Sequence, residues 1–161
     1  MSVQGAEKSK VIPHNKIERL IKGFGFSYIF IRPSYFMQNL TTTLMYDIKS
    51  KRKIILPSGN AKFNWVDIIN IAETIAILLD RFPEFKNRAI EITGYENENF
   101  YALTNAINKT ISNPIHFENV NPLHFYQIKK REGMVNGMII VMLLLHFLPR
   151  FQKDPAISNF Y

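Results

Sequence analysis

The sequence predicts an α/β fold, in which helices alternate with short, largely buried strands. Two stretches carry the pattern: a helical segment over 13–23 leads directly into the apolar run 27–31, and a longer helical segment over 66–80 precedes the alternating run 89–93. The chain has 161 residues, of which 47% are hydrophobic and 20% charged. This composition is enough for one sizeable core, so we expect a single domain.

The first half of the chain opens with two adjoining elements. Residues 13–23 begin with proline and end with glycine, which predicts a surface helix. Its expected buried face consists of Ile17, Leu20, Ile21 and Phe24. The run 27–31 is β-branched and aromatic and is followed by Arg32 and Pro33, which predicts a strand buried on both faces.

Further elements follow in the same rhythm. Residues 35–49 are predicted to be helical or partly helical. A turn at 57–60 ends the predicted strand 53–56. The clearest helix has a stripe formed by Ile68, Ile71, Ala72, Ile75 and Leu79. The predicted strands are 53–56, 89–93 and 114–118, and the predicted helices are 66–80, 98–111, 123–132 and 134–148.

Both ends of the chain suggest a domain truncated at each terminus. Residues 2–5 are typical of the end of a strand that leads into a loop, and nothing precedes them for that strand to pair with. The last residues, 154–161, end on two aromatic side chains without a capped element. We therefore expect residues 1–161 to be one incomplete domain.

Composition also bounds the location and the partners. The chain has no cysteine and no apolar segment behind its N-terminal charges, so a cytoplasmic protein is expected. The apolar stretch 138–148 is about half of the ~20 residues that span a bilayer, which favours a buried helix and no membrane contact. The net charge of +7 permits polyanion binding, but the basic runs 49–53 and 129–131 lack any nucleic-acid motif, so no specific nucleic acid is expected.

Familiar catalytic and phosphate-binding patterns are absent from the sequence. The seven glycines form no cluster of the kind that opens a dinucleotide-binding helix. The four histidines have no metal-ligand spacing, and no serine lies in a Gly-x-Ser-x-Gly setting. We expect no metal site, and the sequence identifies no catalytic residue. His146 is interpreted as a packed side chain, and Asp67 as the cap of the following helix.

Six short motifs in register resemble the NmrA-like group of atypical short-chain dehydrogenases. They occupy residues 13–18, 26–33, 34–39, 63–68, 70–72 and 90–94. The resemblance implies the C-terminal half of a Rossmann-type NAD(P)-binding fold with a small substrate-binding α/β portion, the N-terminal βαβ units being missing. It also implies NAD(P)H as cofactor, although the phosphate-binding loop is not in this chain.

The same resemblance assigns site residues. Aligning Glu18 with the family's glutamate places His14 and Lys10 where active reductases carry lysine and tyrosine, so ordinary carbonyl reduction is in doubt while His14 remains a candidate ribose ligand. The implied cofactor-binding residues are His14, Pro33, Ser34, Tyr35 and Phe36. The implied substrate-binding residues are Met37, Asn39 and Trp65. Alternatively, residues 35–37 are core side chains around a helix start.

Three functions remain open. The first is the nicotinamide and substrate side of an NAD(P)H-dependent oxidoreductase for a planar, quinone-like substrate, or of a redox sensor, inactive without the glycine-rich half. The second is a non-catalytic module that binds a partner chain, such as one carrying that half, through a free sheet edge and apolar helices. The third is nonspecific association with nucleic acid through the basic surface.

Overall fold

The structure, a computed structural model, describes residues 1–8 and 13–158. Its helices are α1 (Pro13–Gly23), α2 (Met45–Lys51), α3 (Ile68–Asp80), α4 (Phe82–Phe85), α5 (Phe100–Asn108), α6 (Pro122–Arg131) and α7 (Asn136–Phe147). Its strands are β1 (Ile29–Pro33), β2 (Tyr35–Phe36), β3 (Lys53–Leu56), β4 (Phe63–Val66), β5 (Arg88–Ile92), β6 (Asn97–Glu98) and β7 (His116–Asn119). The alternation of helices with parallel strands confirms the α/β class.

The chain divides into two compact units. Of the described residues, unit 1 contains 1–8, 13–38, 64–96 and 156–158, and unit 2 contains 39–63 and 97–155. That the whole chain is one incomplete domain remains a prediction.

Parallel pairing organises unit 1. Strand β1 pairs with β5, with Ile31 opposite Ile90. On the other side of β1, the Ser2 amide donates to the Ile31 carbonyl (2.7 Å) and the Gln4 amide donates to the Pro33 carbonyl (3.0 Å). The expected strand character of the first residues is thus present. Within residues 1–8 and 13–158, no further strand pairs with the opposite edge of residues 2–4.

The core of unit 1 lies between this sheet and α3. Its buried members are Val66, Ile71, Leu78, Ile90 and Ile92. The predicted capping role of Asp67 is confirmed, because its carboxylate accepts a hydrogen bond from the Ile69 amide at 2.7 Å. The helix therefore begins at Ile68, two residues after its predicted start. The predicted stripe was wrong at Ile68, Ala72 and Leu79, which are exposed. The buried residues of α3 are Ile71, Thr74 and Leu78.

Helix α1 has the predicted bounds but a different inward face. Ile17, Leu20 and Phe24 are exposed, whereas Glu18 is buried. The Glu18 carboxylate accepts two hydrogen bonds from Arg32 on β1, Nε to Oε1 at 2.9 Å and Nη2 to Oε2 at 2.6 Å. This bidentate ion pair turns Glu18 toward the sheet, and the apolar side chains around it face outward.

Residues 35–49 are partly helical, which is one of the two predicted alternatives: β2 is followed by a 3-10 turn over Met37–Leu40 and then by α2. Strand β4 was missed, because its four residues stand directly before a strong helical pattern. A short buried strand and the start of a buried helix look alike in hydrophobicity alone.

Unit 2 is built around a second parallel pair, β3 with β7, in which Ile54 lies opposite Phe117. Aromatic rings fill its core: the ring of Phe100 lies 5.2 Å from that of Phe63 and 5.5 Å from that of Phe117. The imidazole of His146 packs 6.0 Å from Phe63 and from Phe100, as expected for a packed histidine.

A buried cluster of charges joins α2 to α6 in unit 2. Lys129 and Asp47 are both almost fully buried and form an ion pair. Lys51 donates to Asp47 at 2.8 Å, and Lys129 donates to Glu132 at 3.0 Å. Burial lowers the pKa of Lys51, but its hydrogen bonds to Asp47 and Glu132 outweigh that effect and raise the pKa overall. The second basic run of the sequence therefore contributes Lys129 to the interior.

Helix α7 is only half buried, which corrects the expectation of a buried helix over the apolar stretch. Ile139, Met142 and His146 face the core, while Met138 and Leu145 are exposed. The apolar residues run all the way round this helix, so composition alone could not indicate which of them would find partners.

We expect His146 to make the stability of the protein depend on pH. Burial depresses the pKa of His146 to about 4 from its usual 6.5, although a hydrogen bond to the Met142 carbonyl acts in the opposite direction. Between pH 6.5 and 4 the unfolded chain binds a proton that the folded chain does not. The free energy of unfolding should therefore fall by about 3 kcal/mol as the pH falls through this window.

Urea unfolding at several pH values, followed by circular dichroism, measures this dependence. The His146→Leu variant should lose that part of the slope, whereas His124→Gln, at an exposed histidine on α6, should keep it. Equal slopes for the wild type and His146→Leu would contradict the assignment.

Candidate functional site

The candidate site lies at the carboxyl ends of the parallel strands of unit 1. Strand β1 ends at the buried Pro33, and the amide of the next residue, Ser34, donates to the Ile92 carbonyl at 3.0 Å. Ser34, Tyr35 and Phe36 then follow, each half-buried. Ligands of open parallel sheets bind at this edge, so these side chains are placed where a ligand would meet the sheet.

Asn64 organises the polar groups at this edge. Its side chain is buried in β4, and its Oδ1 accepts from the Ser34 hydroxyl at 2.8 Å and from the Gly94 amide at 2.6 Å. Its Nδ2 donates to the Gly94 carbonyl at 3.1 Å and to the Glu96 carbonyl at 3.3 Å. The Gly94 amide only donates, and the Gly94 and Glu96 carbonyls only accept, so these three partners determine which atom of the Asn64 amide is oxygen and which is nitrogen.

The network sets the hydrogen-bonding polarity of Ser34. The Asn64 oxygen only accepts, so the hydroxyl proton of Ser34 points toward it. The remaining lone pairs of the Ser34 oxygen are left to accept. Ser34 is therefore arranged to receive a hydrogen bond from a donor group such as a primary amide.

Gly94 permits the close approach of two strand ends. A Cβ atom at this position would lie 1.9 Å from the Trp65 carbonyl oxygen and 3.1 Å from its carbonyl carbon. No side chain other than hydrogen fits there. The glycine thus allows β5 to end against β4 and to reach the Asn64 amide.

The aromatic candidates differ in their surroundings. Tyr35 lies opposite Trp65 in the β2–β4 pair, and their rings meet edge to face at 4.8 Å and 74°. Trp65 is buried, and Phe36 packs against the core of unit 1. The alternative interpretation, in which residues 35–37 are core side chains, agrees with the packing of Phe36 against the core. The assignment of Tyr35, Phe36 and Trp65 to ligand binding stays a prediction.

The other two substrate candidates belong to the 3-10 turn over Met37–Leu40. Met37 is exposed. Asn39 belongs to unit 2, where its carbonyl accepts a hydrogen bond from the Leu44 amide at 2.9 Å. Their roles also stay predictions.

His14 lines a cavity to which the other candidate residues do not contribute. This cavity of about 290 Å³ is lined by residues of α1, of β1 and of the segment just before β1, including Glu18, Tyr28 and Phe30. The Nδ1 atom of His14 is buried and has no hydrogen-bond partner in the described part of the chain. Lys10 lies outside the described residues.

The charge of Glu18 in the wall of that cavity is neutralised by its ion pair with Arg32. Burial raises the pKa of Glu18, but the hydrogen bonds from Arg32 and the charge of Arg32 outweigh it, so the pKa is lowered overall. The bond to Glu18 in turn raises the pKa of Arg32, whose Nη1 also pairs with Glu7. Glu18 thus stays ionised and structural, and it is not arranged to act as a base near neutral pH.

Two residues that sequence reasoning missed are central to this geometry. Asn64 is a polar residue between Phe63 and Trp65 in an apolar strand, and Gly94 directly follows a strand. A buried amide and a glycine at a strand end are the signals that would have identified them. Within residues 1–8 and 13–158, no three histidine, aspartate or glutamate side chains are placed to hold a metal ion.

The chain resembles known proteins both in sequence and in structure. No established family profile matches the sequence. Over 134 residues the chain is 31% identical to prestalk A differentiation protein A of Dictyostelium discoideum, covering 83% of this chain and 43% of that protein. Over 133 residues it is 26% identical to the NAD(P)H azoreductase of Xenophilus azovorans, covering 81% of this chain and 45% of that protein.

Two solved structures share the fold. The triphenylmethane reductase of Citrobacter sp. in complex with NADP(H) superposes with a TM-score of 0.81 and 13% identity, over 99% of this chain and 56% of that one. The NADPH-dependent quinone oxidoreductase of Escherichia coli in complex with NADPH gives a TM-score of 0.82 and 15% identity, over 93% and 53%. The chain therefore spans about half the length of the proteins it matches. In the part that the structure describes, none of the helices has the length and apolar character needed to cross a membrane.

Proposed function

We propose that this chain, which resembles the NmrA-like group of atypical short-chain dehydrogenases and spans about half the length of the proteins it matches, supplies the nicotinamide and substrate side of an NAD(P)H-binding protein. The observation that carries the proposal is the Ser34 hydroxyl, held by Asn64 as an acceptor at the carboxyl ends of the strands. The carboxamide of a nicotinamide ring offers the matching N–H donor.

The residues fit one end of the cofactor only. Ser34 and the half-buried rings of Tyr35 and Phe36 suit a planar ring with an amide substituent. The glycine cluster that would cradle the pyrophosphate is not present in the 161 residues. When bound, NAD(P)H supplies a hydride, and the residues of this chain hold and orient the ring.

The complete protein, in this proposal, reduces a planar quinone-like acceptor or senses the redox state of the nicotinamide pool. The names of the relatives favour reduction, since they include a quinone oxidoreductase, an azoreductase and a dye reductase. The absence of the tyrosine–lysine pair at the positions of Lys10 and His14 favours hydride transfer without a protein acid, or a sensor without turnover.

Ligand binding by this chain tests the proposal. We expect reduced nicotinamide mononucleotide to bind weakly, and NADPH to bind little better because its additional phosphates and adenosine meet no phosphate loop. Titrations followed by quenching of Trp65, the single tryptophan, measure both affinities. Ser34→Ala should weaken binding about fivefold, since one hydrogen bond contributes about 1 kcal/mol.

Ser112→Ala, at an exposed serine far along the sequence, is the matched control and should bind like the wild type. If neither ligand produces a saturable change, the nicotinamide assignment is wrong. Micromolar binding of NADPH would instead overturn the proposal that the chain is inactive alone.

A second candidate function is a module that binds a partner chain. It is favoured by residues 2–4, whose outer edge is paired with no other strand in the described part of the structure. A partner that adds a strand there would protect the Val3 amide from hydrogen exchange. Equal exchange of that amide in the isolated chain and in any complex purified with it would exclude this mode of binding.

A further inference from the structure

The outward face of α7 is apolar along its whole length. Six side chains on this face and at its end are between 43% and 54% exposed: Met138, Ile140, Val141, Leu144, Leu145 and Leu148. The segment 133–149 contains no lysine, arginine, aspartate or glutamate. A continuous exposed apolar surface of this kind marks a contact with a partner or a membrane.

Exposed cations lie at both ends of this face. Lys130 precedes α7 and its Nζ donates to Asn136 Oδ1, at the first residue of the helix, at 2.8 Å. Arg150 follows α7, and its guanidinium carbon lies 5.4 Å from the ring centre of Phe147, the last residue of the helix. Arg131, next to Lys130 in the sequence, and Lys153, three residues after Arg150, are also exposed.

The acidic groups nearby are already paired. Glu132 accepts from Lys129 at 3.0 Å and also pairs with Lys51, and Asp154 lies 3.1 Å from Lys62. The ends of the apolar face therefore present positive charge to the outside.

We propose that the outward face of α7 docks this protein on an anionic membrane surface. A helix of 12 residues is about 18 Å long, so it is too short to cross a hydrocarbon layer of about 30 Å and would lie in its plane. The apolar side chains enter the boundary between headgroups and acyl chains, and the cations at both ends meet anionic headgroups.

A second copy of the chain fits this face less well. In a two-fold symmetric contact each helix end meets a helix end of the other copy, and both ends are cationic, so like charges would approach one another. The free strand edge belongs to unit 1 and α7 belongs to unit 2. A partner that extends the sheet at residues 2–4 would therefore bind unit 1, whereas the partner of α7 binds unit 2.

Sedimentation with lipid vesicles tests the proposal on the intact chain. We expect binding to phosphatidylcholine vesicles in which about a quarter of the lipid is phosphatidylserine, weaker binding to pure phosphatidylcholine, and a decrease as salt is raised. Leu144→Gln with Leu145→Gln should reduce the affinity at least about tenfold, because both exposed side chains lose apolar contact area.

Matched variants distinguish vesicle binding through the α7 face from nonspecific vesicle binding. Ile77→Gln with Leu79→Gln makes the same kind of change at two exposed positions of α3 and should bind like the wild type. Lys130→Gln with Arg150→Gln should weaken binding about tenfold, whereas Lys86→Gln with Lys109→Gln, which removes the same charge elsewhere, should not. Circular dichroism confirms that each variant is folded.

Three results would overturn the proposal. The first is the absence of binding to the anionic vesicles. The second is equal loss of binding in the α7 variants and their controls, which would indicate nonspecific attraction by a basic protein. The third is a dimer in light scattering that the Leu144→Gln with Leu145→Gln variant dissociates, which would assign the face to a second copy.

Discussion

Replacing Arg32 with methionine is expected to lower the free energy of unfolding by about 3–5 kcal/mol at neutral pH, because it leaves a buried carboxylate without its counter-ion. Arg32 and Glu18 are both more than nine-tenths buried and share two hydrogen bonds, at 2.9 and 2.6 Å. In the variant, burial of Glu18 is no longer offset by Arg32, so its pKa rises. The deficit should therefore shrink as the pH falls and Glu18 takes up a proton. Urea unfolding followed by Trp65 emission measures it.

A second ion pair of the same shape provides the control. Arg81 donates to both oxygens of Glu84, at 3.0 and 2.5 Å, but both side chains are exposed. Arg81→Met should therefore change stability little, since water solvates the remaining carboxylate. Arg32→Met combined with Glu18→Met should recover most of the loss. An equally destabilised double variant would show that lost packing, and not the unpaired charge, causes the effect.

The Arg32–Glu18 pair also illustrates which features of the fold could be predicted from the sequence and which could not. The bounds of α1 and β3 follow from local signals, a proline start, a glycine end and a short β-branched run, and both were confirmed. The inward face of α1 does not follow from local signals. It depends on Arg32, 14 residues beyond Glu18, and periodicity places apolar side chains inward unless a buried ion pair turns the helix.

The residues of the candidate site could be proposed from the sequence, but their polar connections could not. The sequence indicated that residues 34–36 directly follow a strand, and in the structure the Ser34 amide donates to the Ile92 carbonyl just after β1. Their role in ligand binding stays a prediction. The role of Asn64 depends on three backbone groups, at Gly94 and Glu96, about 30 residues away along the chain. A contact of that sequence separation leaves no local pattern, so only the folded chain reveals it.

Replacing Gly94 with alanine is expected to destabilise unit 1 by at least about 3 kcal/mol or to prevent its folding, because overpacking against backbone cannot be relieved by a change of rotamer. The added Cβ would lie 1.9 Å from the Trp65 carbonyl oxygen, which is part of β4. Either β4 and the end of β5 must separate, or Gly94 must turn away and break its bonds to Asn64 at 2.6 and 3.1 Å. Both movements disturb the acceptor geometry of Ser34, so ligand binding should be lost together with stability.

Gly137→Ala is the matched control for this change. A Cβ at Gly137 would meet no atom within 4 Å, and the residue lies inside α7, where alanine is favoured over glycine by up to about 1 kcal/mol. Thermal unfolding should therefore show opposite shifts of the midpoint for the two variants. Because Trp65 is the single tryptophan, its emission should change in folded Gly94→Ala and stay unchanged in Gly137→Ala. A Gly94→Ala protein with wild-type stability and emission would show that β5 does not approach β4 this closely.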